Sequence, residues 1–214
     1  MEKTKKMYTV GEEIANSVTH GIGALLSIAA CVLMIVTAAK AGSSMQVVCA
    51  SIYGACLIIL FTMSTLYHAL VPEKAKKVFR VFDHTSIFIL IAGTYMPIVL
   101  VSLGGALGWT MFGITWGIAI LGIVLNSISI EKFKVFSMVA YILMGWCVIF
   151  IAKPVLNAVD MRGIVLLVAG GILYTLGLIF YKMKDVKYMH SIWHLFVLAG
   201  AILHYFCVQF YVLG

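Results

Sequence analysis

Seven long apolar runs follow one another along the chain, separated by short polar segments. Each run has roughly the twenty residues that a helix needs to cross about 30 Å of bilayer hydrocarbon. None alternates polar and apolar residues as a barrel strand does, and backbone groups in lipid must bond internally. The runs are therefore predicted to be membrane-spanning helices. They cover residues 19–39, 45–70, 81–103, 109–128, 135–152, 162–181 and 191–212.

The composition agrees with a membrane protein. Hydrophobic residues make up 63% of the chain and charged residues 11%, and the mean hydropathy is +1.10, whereas soluble domains are about 25% charged. We expect an all-α integral membrane protein, a single seven-helix bundle over residues 1–214 that crosses the cell membrane several times. The 19 glycines would let helices approach closely, and Pro97 would kink the third span.

The basic residues predict the orientation of the bundle, because cytoplasmic segments carry an excess of Lys and Arg. Twelve of the fifteen lie on the side of the N-terminus, which is therefore predicted to be cytoplasmic, with the C-terminus outside. These residues sit in short, dispersed segments that would face anionic lipid, so nucleic acid is not an expected partner. They are Lys3, Lys5, Lys6, Lys74, Lys76, Lys77, Arg80, Lys132, Lys134, Lys182, Lys184 and Lys187.

Five residues that can bind or organise a metal ion share one predicted depth. Ser64 and His68 end the second span, Asp83 begins the third, and His190 and His194 begin the last. All five would lie in the cytoplasmic leaflet. Residues four apart share a helix face, so the last two imidazoles can bind one ion. Ionisable groups inside apolar spans usually face a bundle interior and mark function.

Three histidines and an open position are typical of a catalytic zinc site, which makes His68, His190 and His194 candidate ligands. Asp83 could orient or deprotonate a water molecule. Ser64 could hydrogen-bond a ligand or polarise a substrate carbonyl. The alternative is that these side chains only satisfy one another across helix contacts.

Three polar residues of the first segment share another helix face. Glu13, Asn16 and His20 are spaced i, i+3, i+7, so they point the same way from a helix that enters the membrane from inside. They could form a second polar layer beside the metal or line a substrate entrance. A structural stripe of hydrogen bonds between helices is the alternative.

Two further histidines are not expected to bind the same ion. His84 points about 100° away from Asp83 on a helix, and His204 lies about 15 Å deeper than His194. The imidazole of His204 is expected to be hydrogen-bonded within the bundle.

These motifs resemble those of the hemolysin III family, the bacterial branch of the progestin and adipoQ receptor superfamily. The resemblance rests on the combination of several motifs and covers essentially the whole chain. The motifs are Ser64-Thr-Leu-Tyr-His68, Asp83-His84, His190-Ser-Ile-Trp-His194 and the N-terminal Glu13-Ile-Ala-Asn16-Ser-Val-Thr19-His20.

The resemblance implies a zinc ion near the cytoplasmic face, as in the related adiponectin receptors and alkaline ceramidases. Carried onto this chain, it makes His68, His190 and His194 the ligands. It gives Asp83 a role through water and makes Ser64 a supporting hydroxyl. The wider grouping has been proposed to contain metal-dependent hydrolases of lipid amides or esters, whereas the bacterial branch is named for red-cell lysis.

Three functions remain open. The first is a zinc-dependent hydrolase of lipid amide or ester bonds, with membrane lipids as partners and a lipid or fatty-acyl substrate. The second is a channel or pore-forming cytolysin, although no predicted span carries the continuous polar stripe of an aqueous pore. The third is a regulator of membrane lipid or energetic homeostasis with a structural zinc. Another divalent ion and any oligomeric state are compatible with the sequence.

The charge asymmetry makes a testable prediction about topology. A reporter fused after Gly214 should be active only outside the cell, and a reporter inserted after Ile128 should be active only inside, because basic segments stay cytoplasmic. Paired reporters, one active on each side of the membrane, would measure this. Cytoplasmic activity of the fusion at Gly214 would contradict the shared depth of the five candidate residues.

Overall fold

The fold is a seven-span helical bundle, seen in a computed structural model that describes residues 8–183 and 185–214. Within these residues there is no strand, and seven segments are long and apolar enough to cross a membrane, which confirms the predicted fold class. The helices are α1 (Val10–Lys40), α2 (Ser44–Ala69), α3 (Glu73–Met96), α4 (Gly105–Ile128), α5 (Ile130–Trp146), α6 (Ala152–Ala158), α7 (Met161–Lys182) and α8 (Met189–Tyr211).

The orientation of the termini remains a prediction. Four of the basic residues on which it rests, Lys3, Lys5, Lys6 and Lys184, lie outside the described residues.

Several helices are longer than the apolar runs that predicted them. α1 begins at Val10 rather than at residue 19, and α3 begins at Glu73 rather than at residue 81. At the start of α1, the Thr9 side chain accepts from Glu12 N, and the Glu12 carboxylate accepts from Thr9 N at 2.9 Å. Such a capping box satisfies free backbone donors wherever the helix begins. An apolar run shows only the part of a helix that contacts lipid. The helix itself continues beyond the run to its capping residue.

Two spans change their hydrogen-bond pattern midway. The α-helical pattern of α3 ends before Pro97, whose nitrogen has no hydrogen to donate, and a π-helical segment continues to Leu103. The expected kink at Pro97 is thus a change of helix type. The fifth span passes from α5 through a 3₁₀ segment, Cys147–Ile151, into α6. The Tyr95 hydroxyl donates to Gly145 O and accepts from Val148 N, both at 3.0 Å, and joins the two irregular regions.

Polarity in the bundle is reversed relative to a soluble protein. Large apolar side chains such as Leu25 and Leu143 are exposed on the outer surface, where lipid would cover them. Polar side chains such as Asn16, His194 and Asn126 are fully buried. The Asn126 carbonyl accepts from Ser137 at 3.0 Å and joins α4 to α5. Buried polar groups in membrane bundles hydrogen-bond between helices in this way.

The helices enclose a cavity of about 900 Å³. α1 packs on α2 and α8, α2 packs on α3, and α7 packs on α8, and the cavity is lined by residues from α1, α2, α3, α5, α7 and α8. One end carries charged and polar side chains, including Glu13, Asp83 and His190. The other is lined largely by apolar residues such as Ile98 and Leu167.

Close packing of α1 on α2 makes a stability prediction. A methyl group at Gly54 would collide with the side chain and backbone of Cys31. Gly54→Ala should therefore lower the free energy of unfolding by about 1–3 kcal/mol, the usual cost of overpacking. Gly117 on α4 has nothing within 4 Å of the added carbon, so Gly117→Ala is the matched control. Thermal unfolding in detergent would compare them, and equal stability of the two variants would contradict the packing argument.

Candidate metal centre

Three imidazoles from two helices converge at the polar end of the cavity. His68 comes from the last turn of α2, and His190 and His194 come from the first turns of α8. One ring nitrogen from each lies within 4.8 Å of the others, and the Nε2 atoms of His190 and His194 are 3.2 Å apart. Ligands on a tetrahedral ion with bonds of about 2.0–2.1 Å are separated by about 3.3 Å. These three residues, called the histidine trio below, could hold one metal ion.

A hydrogen bond at Nδ1 of His68 determines which of its two ring nitrogens can bind an ion. His68 Nδ1 lies 2.6 Å from Glu13 Oε2. Because a carboxylate can only accept, Nδ1 carries the hydrogen, and a neutral ring keeps its lone pair on Nε2. That Nε2 is buried and has no protein partner in the described part of the chain. Metal-binding histidines usually donate their second N–H to a carboxylate or carbonyl, so His68 fits a ligand role.

His194 has the same arrangement on the other helix. Its Nδ1 lies 3.2 Å from the backbone oxygen of Asn16, and a carbonyl can only accept. The lone pair of neutral His194 is therefore on Nε2, the atom that faces His190. At 3.2 Å, the lone pair of His194 Nε2 either accepts a hydrogen bond from His190 Nε2 or shares a cation with it. The donor set therefore fits a divalent ion that prefers imidazole nitrogen.

Aromatic contacts fix the planes of the rings on α8. Tyr8 stacks on His190 with ring centroids 4.9 Å apart, and His20 stacks on His194 at 3.6 Å with 15° between the planes. Since the lone pairs of stacked rings lie in parallel planes and do not converge on one point between them, His20 holds the plane of His194 rather than joining it on one ion. Burial raises the pKa of the Tyr8 hydroxyl, so this group stays protonated beside the trio.

Glu13 and Asn16 form a polar layer behind the trio. Lys76 Nζ donates to Glu13 Oε1 at 2.5 Å, so the carboxylate that orients His68 is itself paired with a cation. Asn16 Oδ1 accepts from Ser191 Oγ at 2.5 Å. Glu13 and Asn16 bond between helices, and Glu13 and His20 also line the cavity, so a second polar layer beside a bound metal, a substrate entrance and a structural stripe all remain predictions for this face.

The other predicted site residues lie near the trio without joining it. Asp83 is 8% exposed and lines the same cavity, and its Oδ2 lies 3.5 Å from His84 Nδ1. Ser64 is buried one turn from His68, and its hydroxyl has no protein partner among the described residues. His84 Nδ1 donates to Arg80 O at 2.9 Å, and His84 is not part of the trio, as expected. The catalytic roles of Asp83 and Ser64 remain predictions.

Sequence reasoning did not identify the partners of this polar layer. In the sequence, Lys76 stood out only as one of the twelve basic residues that predict the orientation, and Ser191 only as part of the motif that begins at His190. The sequence did indicate that Glu13 has a partner. Glu13 lies in a helix that continues into the membrane, and an acidic group there needs a cation or a hydrogen-bond donor. Residue spacing does not show which basic side chain pairs with Glu13, because Lys76 belongs to another helix.

The chain is similar to known proteins over nearly its whole length. The family model described as "Haemolysin-III related" matches residues 8–205. "Hemolysin-3" of Bacillus cereus is 45% identical over 210 residues, which are 98% of this chain and 96% of the relative. "Hemolysin-3 homolog" of Bacillus subtilis (strain 168) is 44% identical, with 96% of each chain covered. The human "Monocyte to macrophage differentiation factor" is 30% identical over 95% of this chain and 85% of its own. These matches confirm the resemblance inferred from the motifs.

The trio makes a prediction about metal content. The purified protein should contain about one divalent ion per chain, as a three-histidine site requires, and His190→Ala combined with His194→Ala should remove it, because two of the three nitrogens are lost. Elemental analysis of the purified chain would measure this. His84→Ala is the matched control, since His84 lines the same cavity, and it should keep its metal. An unchanged metal content in the double variant would show that the trio is not the binding site.

Proposed function

We propose a hydrolytic function for this chain, which belongs to the hemolysin III family and is a multi-pass protein of the cell membrane. The proposed substrates are lipids with an acyl amide or ester bond, and the proposed metal is zinc. One observation carries the proposal: His190 of the trio and Asp83 line a cavity whose other end is largely apolar. A lipid could place its acyl chain there and its carbonyl at the trio.

The chemistry of the proposed reaction follows from the donor set. When bound, zinc supplies a Lewis acid that makes a water molecule more acidic and polarises an acyl carbonyl. Asp83 accepts a proton from the attacking water, whose oxygen bonds to the acyl carbon. The carbon–nitrogen or carbon–oxygen bond then breaks, and Asp83 returns the proton to the leaving amine or alcohol. Ser64 is buried one turn from His68 and does not line the cavity, so its hydroxyl is proposed to hydrogen-bond a ligand of the ion rather than the substrate carbonyl.

The position of Asp83 supports this role. Its side chain is largely buried yet lines the cavity, and in the described part of the chain it makes no direct hydrogen bond to His68 or His194. A carboxylate that bound these rings directly would be occupied in orienting them, as Glu13 is. Asp83 is instead available to a water molecule between the carboxylate and the trio.

Membrane lysis is the second candidate, because the name of the Bacillus cereus relative attributes lysis to that protein. An aqueous pore needs polar groups along its whole length. Here the charged groups of the cavity gather at one end, and the other is lined mainly by apolar residues such as Ile98 and Leu167, with a few uncharged polar side chains, Thr94, Tyr174 and His204, among them. This distribution favours a binding cavity for one lipid over a conducting path.

Asp83→Asn should separate hydrolysis from metal binding. The amide keeps a hydrogen-bonding side chain but cannot accept the proton, so we expect the variant to retain most of its metal and lose activity by about 10–100-fold or more. Release of fatty acid from a panel of amide and ester lipids, with and without chelator, would measure activity. Elemental analysis would measure metal in the same preparations.

Asp160→Asn is the matched control, because Asp160 is an exposed residue that caps α7 and pairs with Arg162. It should keep both metal and activity. An Asp83→Asn variant with full metal and full activity would overturn the proposed role of the carboxylate. A parent protein that releases no fatty acid but makes vesicles leak would favour lysis, and one that binds metal without either activity would favour a structural ion in a regulator.

A further inference from the structure

A second polar site lies deep in the cavity, away from the histidine trio. His204 on α8 lines the cavity, and its Nε2 lies 3.0 Å from the backbone oxygen of Leu167 on α7. Because that oxygen can only accept, Nε2 carries the hydrogen, and the neutral ring has its lone pair on Nδ1. Nδ1 is buried and has no protein partner within the described residues.

Two helices place polar residues at this depth. His204 follows His194 by ten residues on α8, which is about 15 Å at 1.5 Å per residue. Thr94 follows Asp83 by eleven residues on α3, about 16 Å by the same rise. Both residues line the same cavity as Tyr174, whose ring meets that of His204 edge-on with centroids 5.3 Å apart. Thr94, Tyr174 and His204 are called the deep polar subsite below.

The deep polar subsite holds two acceptors, Thr94 and His204, beside the Tyr174 hydroxyl, which can donate or accept. The Thr94 hydroxyl donates its hydrogen to Leu90 O at 2.8 Å and also contacts the Tyr53 hydroxyl, so its remaining lone pairs can only accept. His204 Nδ1 can also only accept. A buried acceptor without a partner destabilises the protein, and an unsubstituted hydrocarbon tail cannot supply the missing hydrogen. The missing partner is therefore a group that donates a hydrogen bond.

We propose that the deep polar subsite binds a hydroxyl group on the tail of an acyl lipid, about 15 Å from the carbonyl held at the trio. The inference rests on the proposed function for the direction in which the lipid lies. It deepens that function by naming the substrate class as lipids whose acyl chain carries a hydroxyl about 15 Å from the carbonyl. A water molecule is the other source of the same hydrogen bond, and it would not discriminate between tails.

Binding of two free fatty acids tests the inference without turnover. The probes are octadecanoic acid and a hydroxyoctadecanoic acid whose hydroxyl lies about 15 Å from the carboxyl group in the extended chain. Each would displace a fluorescent fatty acid from the metal-loaded full chain in detergent. We expect the hydroxylated acid to bind about threefold to tenfold more tightly, the effect of one net hydrogen bond.

Variants assign this preference to the subsite. His204→Leu should abolish the preference, whereas His204→Asn should retain part of it because the amide oxygen can accept near the position of Nδ1. Thr94→Val should reduce the preference while preserving the shape of the side chain. Thr115→Val is the matched control, since Thr115 is fully buried, bonds to Met111 O at 3.0 Å and does not line the cavity.

Equal affinity of the parent protein for the two acids would overturn the inference and point to water at the subsite. A preference that survives in both His204→Leu and Thr94→Val would also overturn it. Measurements of thermal unfolding and metal content identify variants that are misfolded. If His204→Leu does not fold, the comparison of Thr94→Val with the parent protein tests the inference. If neither acid binds, the inference fails, whereas hydrolysis is judged separately by fatty-acid release in the Asp83 experiment.

Discussion

The arrangement of the histidine trio depends on the contacts of one carboxylate. Glu13 on α1 bonds to His68 at the end of α2 and to Lys76 at the start of α3. An acidic group at this depth is costly unless it is paired, so the start of α1 must lie level with the α2–α3 connection. The same contact places the hydrogen of His68 on Nδ1 and leaves the lone pair of Nε2, which has no protein partner among the described residues, for a metal ion. Helix packing and ligand geometry are therefore fixed by one pair of bonds.

Asn16 has the equivalent role toward α8. It lies three residues after Glu13 on the same face of α1, accepts a hydrogen bond from Ser191 through its side chain, and orients His194 through its backbone oxygen. α1 thus contributes no nitrogen to the trio but sets the position and tautomer of rings on two other helices. Such supporting partners of metal ligands typically matter almost as much as the ligands themselves.

The sequence predicted the spans and the histidine trio because both depend on position along the chain. Apolar length gave the helices, and spacing within α8 placed His190 and His194 on one face. It could not predict that Lys76, rather than another basic residue, pairs with Glu13, because that choice depends on the rotation and tilt of neighbouring helices. The apolar pattern gave only the membrane run from residue 19, whereas backbone capping at Thr9 begins α1 at Val10, beyond that run. The cavity, a product of packing, was also beyond spacing arguments.

Polarity within the cavity varies along its length and would give a lipid bound as proposed one favourable direction. Charged and imidazole groups occupy the trio end, apolar residues such as Leu90 and Val197 line the cavity beyond it, and His204 lies deeper still. A lipid headgroup is costly to move past the apolar wall, because its polar atoms would lose their partners there. An acyl chain loses nothing by the same movement and removes apolar surface from water. In the proposed function the carbonyl would therefore stop at the trio, and His204, whose one hydrogen bond among the described residues is to Leu167, would meet the tail rather than the headgroup.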